Sequence, residues 1–544
     1  MAKGKPLQLT LAALGWALLM LGAEVRAASF PVIPKWHRFE LTLTSRHAYT
    51  NALQEAEVRV LFVSPLGETN RTYGFWDGGK TWRVRFAPNF PGRWRYYTMC
   101  SDPANPGLNG QAGEFLCIAA TGDSRFDEHG PIQVARDQAH FEHADRAPFL
   151  WLGDAAWDAA PRATDPDWKY YAQTRAAQKF NTVQWRLSPT ALAAASNPNS
   201  GPFTGRECIT LNLGFFQHLD AKVDSLTRAG LLSAIAPLWE IGARTDQTLP
   251  EDQAILLMRY VVARWGGNPV AWIVAFESDS TGEQAARWQR LGRAVFNPVT
   301  HGPVIVLPGD APWVLPAFRT ESWVDALGFQ TTQVADEDAL PWLVLGPLSL
   351  ERQKLPARPL ITLSPAVELL PAEAREKPDA TNFVRRVLWW SLLINTPAGV
   401  SYSARDVAEW TRAKTDTAEP PWRAALSLPG PEAIAPLAEC FGAIDFWRLK
   451  PFAQGGIVRS GTSSLGNPVA ASGTDGGNLL LIYVPAERAF QLLLGPGAVP
   501  ENATWLDPRT GQRRPAGPAV ASPAGWEFIK PDRKDWVLVV RAQP

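Results

Sequence analysis

The chain has 544 residues, 46% hydrophobic and 19% charged, which supplies packed cores for about three domains and excludes a wholly disordered polymer. Its 53 Lys and Arg balance 53 Asp and Glu, and this zero net charge argues against a nucleic-acid binder, which needs a cationic footprint. Four Cys and seven His stand at spacings that match no metal site, so neither metal nor cofactor is expected.

Lys3 and Lys5 open the chain, residues 7–22 are mostly apolar, and Val25-Arg26-Ala27 resembles a small-residue cleavage site. This predicts a signal peptide over residues 1–28. A retained anchor is the alternative, although the apolar run is short for a span. The expected mature chain is secreted or periplasmic and free of the membrane.

Residues 29–122 read as an immunoglobulin-like β-sandwich. HRFELTLTS, EVRVLFVS, TWRVRFAP and RWRYYTMC are short strand-like runs separated by turns such as Pro65-Leu66-Gly67 and Asp77-Gly78-Gly79. Cys100 and Cys117 flank a turn rich in Pro, Gly and Asn, so a disulfide across a hairpin is one open reading. Cys208 and Cys440 read as buried thiols.

Over residues 130–452 short apolar runs alternate with amphipathic stretches. The runs are 149–157, 181–189, 231–240, 271–279, 303–310, 324–332, 359–368 and 398–406. Eight strand–helix units predict a (β/α)8 TIM barrel. Residues 453–544 return to short strands and predict a small C-terminal β-sandwich, with a loop over Gly461 to Gly477. The 24 Trp equal the Phe in number. Core filling accounts for more than half of them in this reading, and stacking on sugar rings for the rest.

A barrel of this kind carries its chemistry at the C-terminal ends of its strands. The runs end on Asp154, Arg186, Glu240, Glu277, Asp310, Gln330, Glu368 and Asp406, all expected to point into one mouth. Glycosidic hydrolysis needs two carboxyl groups across the scissile bond. Glu277, ending WIVAFE, is the expected acid/base, and Glu368 on the strand-seven run its partner. An ion pair, for example Glu277 with Arg186, is the structural alternative for each. Glu240 competes for the acid role or orients Glu277. Asp154 reads as a grip on sugar hydroxyls beside Trp157, or as a helix N-cap. Gln184, Arg186, Trp239, Gln330 and Ser364 complete the expected substrate-binding set. Ser/His/Asp catalysis lacks a G-x-S-x-G elbow.

FLWLGDAAWD, RAAQKFNTVQ, FFQHLDAKVDSLTRAGL and RYVVARWGGNPVAWIVAFESD resemble, in that order, the apiosidase-like glycoside hydrolases of bacteria. TWLDPRTG and DWVLVV are similar to the collagen-binding-type β-domain that often ends such chains, and residues 31–120 to their N-terminal domain of unknown function. The resemblance implies a hydrolase acting on polysaccharide side chains. It also implies an acid at Glu277, where the family commonly has Asp, and a strand-seven motif resembling E-P-x-Y-E. Here that motif reads Ser364-Pro365-Ala366-Val367-Glu368, so its first acid is a serine and its second remains. YSARDVAEW departs from the family form at Ala404. Three functions stay open: a glycoside hydrolase, a sugar-binding barrel without catalysis, and an adhesion protein working through its flanking domains. The residues name neither the sugar nor the oligomeric state.

Overall fold

The structure, a computed structural model, describes residues 30–187, 201–238, 249–275, 282–309, 316–330, 350–365, 367–370, 380–395, 397–413, 419–452, 456–460, 468–486, 488–494, 500, 502–523 and 525–541. The expected leader and the candidates Trp239, Glu240, Glu277 and Asp310 lie outside these residues.

Seven strands build the N-terminal sandwich: β1 (Val32–Pro34), β2 (Phe39–Thr44), β3 (Val58–Val63), β4 (Thr69–Gly78), β5 (Thr81–Phe86), β6 (Gly92–Cys100) and β7 (Ala112–Ile118). Their order is β1-β7-β6-β3-β4-β5-β2. The long β4 changes partner midway, pairing with β3 through Tyr73 and with β5 from Gly74. A Cβ on Gly74 would sit 3.0 Å from Val58 Cγ1, so this crossing point is narrow. Phe39, Phe62, Trp94 and Phe115 fill the core by period-two alternation. Cys117 pairs with Gly92 at one end of the β6/β7 hairpin, while Cys100 ends β6 beside Val58. The two thiols are therefore far apart along the hairpin, and both are free. Cys440 is buried as expected, but Cys208 is exposed.

A small sheet of β8 (Ile132–Val134), β9 (Phe141–His143) and β10 (Pro148–Phe149) leads into the barrel. The barrel strands are β11 (Trp151–Ala155), β12 (Thr182–Arg186), β15 (Leu232–Ala236), β16 (Val270–Val274), β17 (Val304–Val306), β18 (Ala326–Gln330), β19 (Leu360–Ser364) and β20 (Gly399–Tyr402). They form a closed eight-stranded parallel barrel in chain order, as the alternating pattern predicted. A ribbon, β13 (Phe203–Thr204) with β14 (Thr210–Leu211), interrupts the second unit. The alternation sorts each strand by side. Trp151, Ala155, Ala234, Ile273, Leu307 and Leu363 pack in the lumen. Val183, Trp185, Trp272, Val306, Phe329 and Tyr402 pack outward against the helices.

The sandwich is fastened to two barrel helices, Leu213–Arg228 and Glu251–Trp265. Asp220 accepts hydrogen bonds from Arg85 at 3.0 and 2.9 Å and from Arg264 at 2.9 and 2.7 Å. Trp265 donates to the same carboxylate at 2.8 Å and packs edge-on against Trp185 of the barrel wall.

The C-terminal sandwich faces a sheet of β21 (Lys450–Pro451), β23 (Ala470–Gly473), β24 (Leu480–Val484), β26 (Asn502–Leu506), β27 (Arg513–Pro515) and β30 (Trp536–Arg541) against one of β22 (Val458–Ser460), β25 (Ala489–Leu492), β28 (Val520–Ser522) and β29 (Gly525–Ile529). β23 lies inside the stretch expected to be a loop. Its residues are all buried, and that burial is the reason they pair. Arg385, on the helix Ala380–Leu393, holds Asp535 at 2.6 and 2.8 Å, and Trp389 stacks on Tyr483 with centroids 6.0 Å apart.

Candidate active site

The alternation that builds the wall decides where each strand-end residue points. On β11, Trp151 and Ala155 face the lumen, so Asp154 faces the helices. It is fully buried, with Arg175 Nε donating at 2.6 Å and Tyr171 Oη at 2.6 Å. Burial pushes the Tyr171 phenol well up, and the Asp154 charge adds to this. Asp154 is thus an internal ion pair and not a sugar grip. Nor does it cap the helix Asp165–Ala177, whose N-cap is Thr164.

Glu368 also points to the helix side. Its backbone adds one bridge to Ala404 beyond β20. Its carboxylate, 2% exposed, accepts from Tyr402 Oη at 2.5 Å and from the Gly430 N–H at 3.1 and 3.2 Å. A Cβ at Gly430 would lie 2.4 Å from Glu368 Oε2, so only glycine admits this approach. Burial, then the Glu368 charge, drive the Tyr402 phenol far above its ordinary range. Arg175 lies over the Tyr402 ring at 5.7 Å. One buried polar chain therefore runs from Asp154 through Arg175 and Tyr402 to Glu368. This placement turns Glu368 away from the expected pairing across the lumen.

Inside the lumen, Gln184 Nε2 donates to the Leu363 carbonyl at 2.8 Å. Its Oε1 meets Ser401 Oγ, which also accepts from Trp151 Nε1 at 3.1 Å. Gln184 is fully buried and serves barrel closure, in place of the expected sugar contact. Gln330 Nε2 donates to the Pro308 carbonyl at 3.0 Å, and Ser364 stands in register beside Gln330.

At the rim, strands one, two and eight bring a charged sector together. Arg186, at the end of β12, donates from Nε to Asp158 Oδ1 at 2.5 Å. The Asp158 N–H bonds the Ala408 carbonyl at 2.7 Å. Trp157, 8% exposed, packs on the lumen cluster, as does Ala408. Asp406 lies in the turn of helix Arg405–Ala408, directly after β20. Glu409 follows, its carboxyl held above the usual range by burial; Asp406 and Asp158 add to this, while Arg405 and Arg162 oppose it. Asp158 and Glu409 were not singled out from the sequence. Strict alternation from Trp151 would have turned Asp154 outward; it gives no guide to Asp158, which lies past the end of β11.

Strand four ends at Val274, three residues before Glu277 in sequence. All five residues of β16 are buried, and Ala275 follows in the left-handed region at φ 57°, a cost of order 1 kcal/mol or more for a residue with a Cβ. Among the described residues no group of three His, Cys, Asp or Glu is placed to hold a metal, and no helix is long and apolar enough to cross a membrane.

Residues 135–448 match the model of the apiosidase-like catalytic domain. The chain belongs to the apiosidase-like family. Flanking this glycosidase domain, residues 32–101 of the apiosidase-like chain match a domain of unknown function and residues 456–541 a presumed collagen-binding domain of a collagenase. No curated protein matches the sequence. A solved family 5 glycoside hydrolase from Bacteroides vulgatus ATCC 8482 is 18% identical with a TM-score of 0.64, over 77% of this chain and 94% of its own. A presumed glycoside hydrolase from the same strain is 16% identical with a TM-score of 0.65, over 94% of this chain and all of its own. At these identities the likeness is one of fold.

Proposed function

We propose that this apiosidase-like chain is an exported glycosidase that removes saccharide side chains, with Glu277 as the proton donor. Glu277 protonates the leaving oxygen as the glycosidic C–O bond breaks, and water adds to the anomeric carbon. The observation that carries the reading is the match of the family's catalytic domain to a closed barrel, with Glu277 three residues after the end of strand four, β16, in sequence. The test is Glu277→Gln assayed on a panel of branched plant and microbial glycans. Turnover is expected to fall by about 10²–10⁴, with circular dichroism unchanged. Full activity in the variant would sink the assignment.

A second reading, a sugar-binding barrel without catalysis, draws support from Ser364 and from the engagement of Glu368 by Tyr402 and Gly430. It predicts calorimetric binding of oligosaccharides with no release of reducing ends.

A further inference from the structure

The outer face of the N-terminal sandwich carries a surface that the barrel chemistry does not use. An antiparallel sheet that covers a core on one side usually shows polar residues on the other. Here β3, β6 and β7 turn Val60, Trp94 and Phe115 into the core. The alternate positions Leu61, Tyr97, Met99 and Leu116 face out. Tyr97 is 43% exposed and Met99 50%. Tyr97 stands opposite Leu61, and Leu61 opposite Arg71 of β4. Arg59, Arg93 and Arg95 share this face by the same alternation.

The charge on the face is one-sided. Its strands present arginines and no lysine. Glu114 lies opposite Arg95 in register yet pairs with Arg93 at 3.0 Å. Glu57, just before β3, is shared by Arg59 and Arg259. Arg71 and Arg95 are exposed, and among the described residues no carboxylate pairs with either. The chain as a whole is neutral, so this cationic excess is local. The barrel borders the face at β4: Thr300 N–H donates to the Arg71 carbonyl at 2.8 Å, and Tyr73 Oη donates to the Val295 carbonyl at 3.1 Å. Thr300 precedes β17, so this border is the N-terminal end of the barrel, opposite the rim.

We infer that this face anchors an acidic polysaccharide, a chain bearing uronate groups, at a distance from the rim. A guanidinium matches a carboxylate with two parallel hydrogen bonds, which an ammonium does not. The Tyr97 ring carries negative charge on its face, which attracts the polarised C–H groups of a pyranose. Arg95, two residues along the same side of β6, then meets the carboxylate of that sugar or the next. A saccharide is preferred to a protein partner because the chain belongs to a glycosidase family. The inference needs binding alone and no turnover.

The test uses the full chain with alginate and hyaluronan, and the propylene glycol ester of alginate as the uncharged counterpart. In affinity electrophoresis and calorimetry the wild type is expected to bind a uronate polymer, less tightly as salt rises. The ester, which loses the charged hydrogen bonds, should bind at least about 10-fold more weakly. Arg95→Ala and Tyr97→Ala should each weaken binding at least about 10-fold, with Tm unchanged because both side chains are exposed. No binding of either polymer, equal binding of the ester, or wild-type affinity in either variant overturns the inference. Duplex DNA held as tightly as alginate shows a non-specific polyanion patch and overturns it too. So does a wild-type dimer in sedimentation that Tyr97→Ala splits, which assigns the face to a second copy. A chain that binds alginate through these residues but cleaves no glycan sinks the hydrolase reading alone.

Discussion

Glu368 shows how a buried carboxylate is held by a phenol, a backbone N–H, and a glycine that lets that N–H approach. Tyr402→Phe removes one donor and is expected to destabilise by about 1–3 kcal/mol in urea unfolding. Gly430→Ala, whose Cβ would meet both Glu368 and Tyr402 at 2.4 Å, should cost at least as much. A catalytic Glu368 would instead show lost turnover with unchanged stability. Lys222 gives a prediction in pH. It is 2% exposed, its Nζ donates to the Ala160 and Ala163 carbonyls, and burial pushes it down to about 8. Unfolded lysine titrates near about 10.4, so between these values the unfolded chain binds more protons and stability rises with pH. Below pH 8 the cost of charging the buried amine is present in full. Urea unfolding at several alkaline pH values should show this rise, and Lys222→Met should lack it against the background of the buried Cys117 and Cys440, whose thiols burial pushes up to about 11 and about 12.

At the level of elements, the eight strands were legible because each is a short apolar run bounded by amphipathic stretches, and tertiary contact reinforces that pattern. The direction of the strand-end acids was legible only with strict alternation. Asp154 sits one residue out of phase with the lumen-facing Trp151 and Ala155, and Glu368 lies past an irregular exit from β19, where alternation gives no guide. Still less was the sandwich–barrel junction visible, since Arg85, Asp220 and Arg264 are distant in sequence and ordinary in context. Asp220 is 17% exposed in its side chain, Arg264 1% and Arg85 6%. Arg85→Met leaves Asp220 with Arg264 and Trp265 alone, and is expected to cost about 1–3 kcal/mol for the charged hydrogen bonds lost. Chemical denaturation of the full chain checks this, and an unchanged midpoint would show that the junction contributes nothing.

Across the whole molecule, both sandwiches grip the outside of the barrel, the N-terminal one through Asp220 and the C-terminal one through Arg385. The C-terminal one covers Trp389 and Trp390, both fully buried, and Trp390 donates to the Pro468 carbonyl at 3.0 Å. Deleting residues 453–544 would uncover these indoles and orphan Arg385. The truncated chain is expected to aggregate, which sedimentation would reveal; a soluble barrel of unaltered Tm would favour an independent role for that domain.

The fate of the tryptophans has an optical consequence. Twelve of the largest fully buried side chains are indoles, spread from Trp94 in the first sandwich to Trp422 beyond the barrel, while Trp157 is an indole at the rim. Emission of the native chain should be blue and hard to quench with iodide, and should redden as the chain unfolds. A saccharide docking at the rim would perturb little of that light beyond the share from Trp157, so a Trp157→Phe variant would turn an otherwise silent spectrum into a control for ligand titrations.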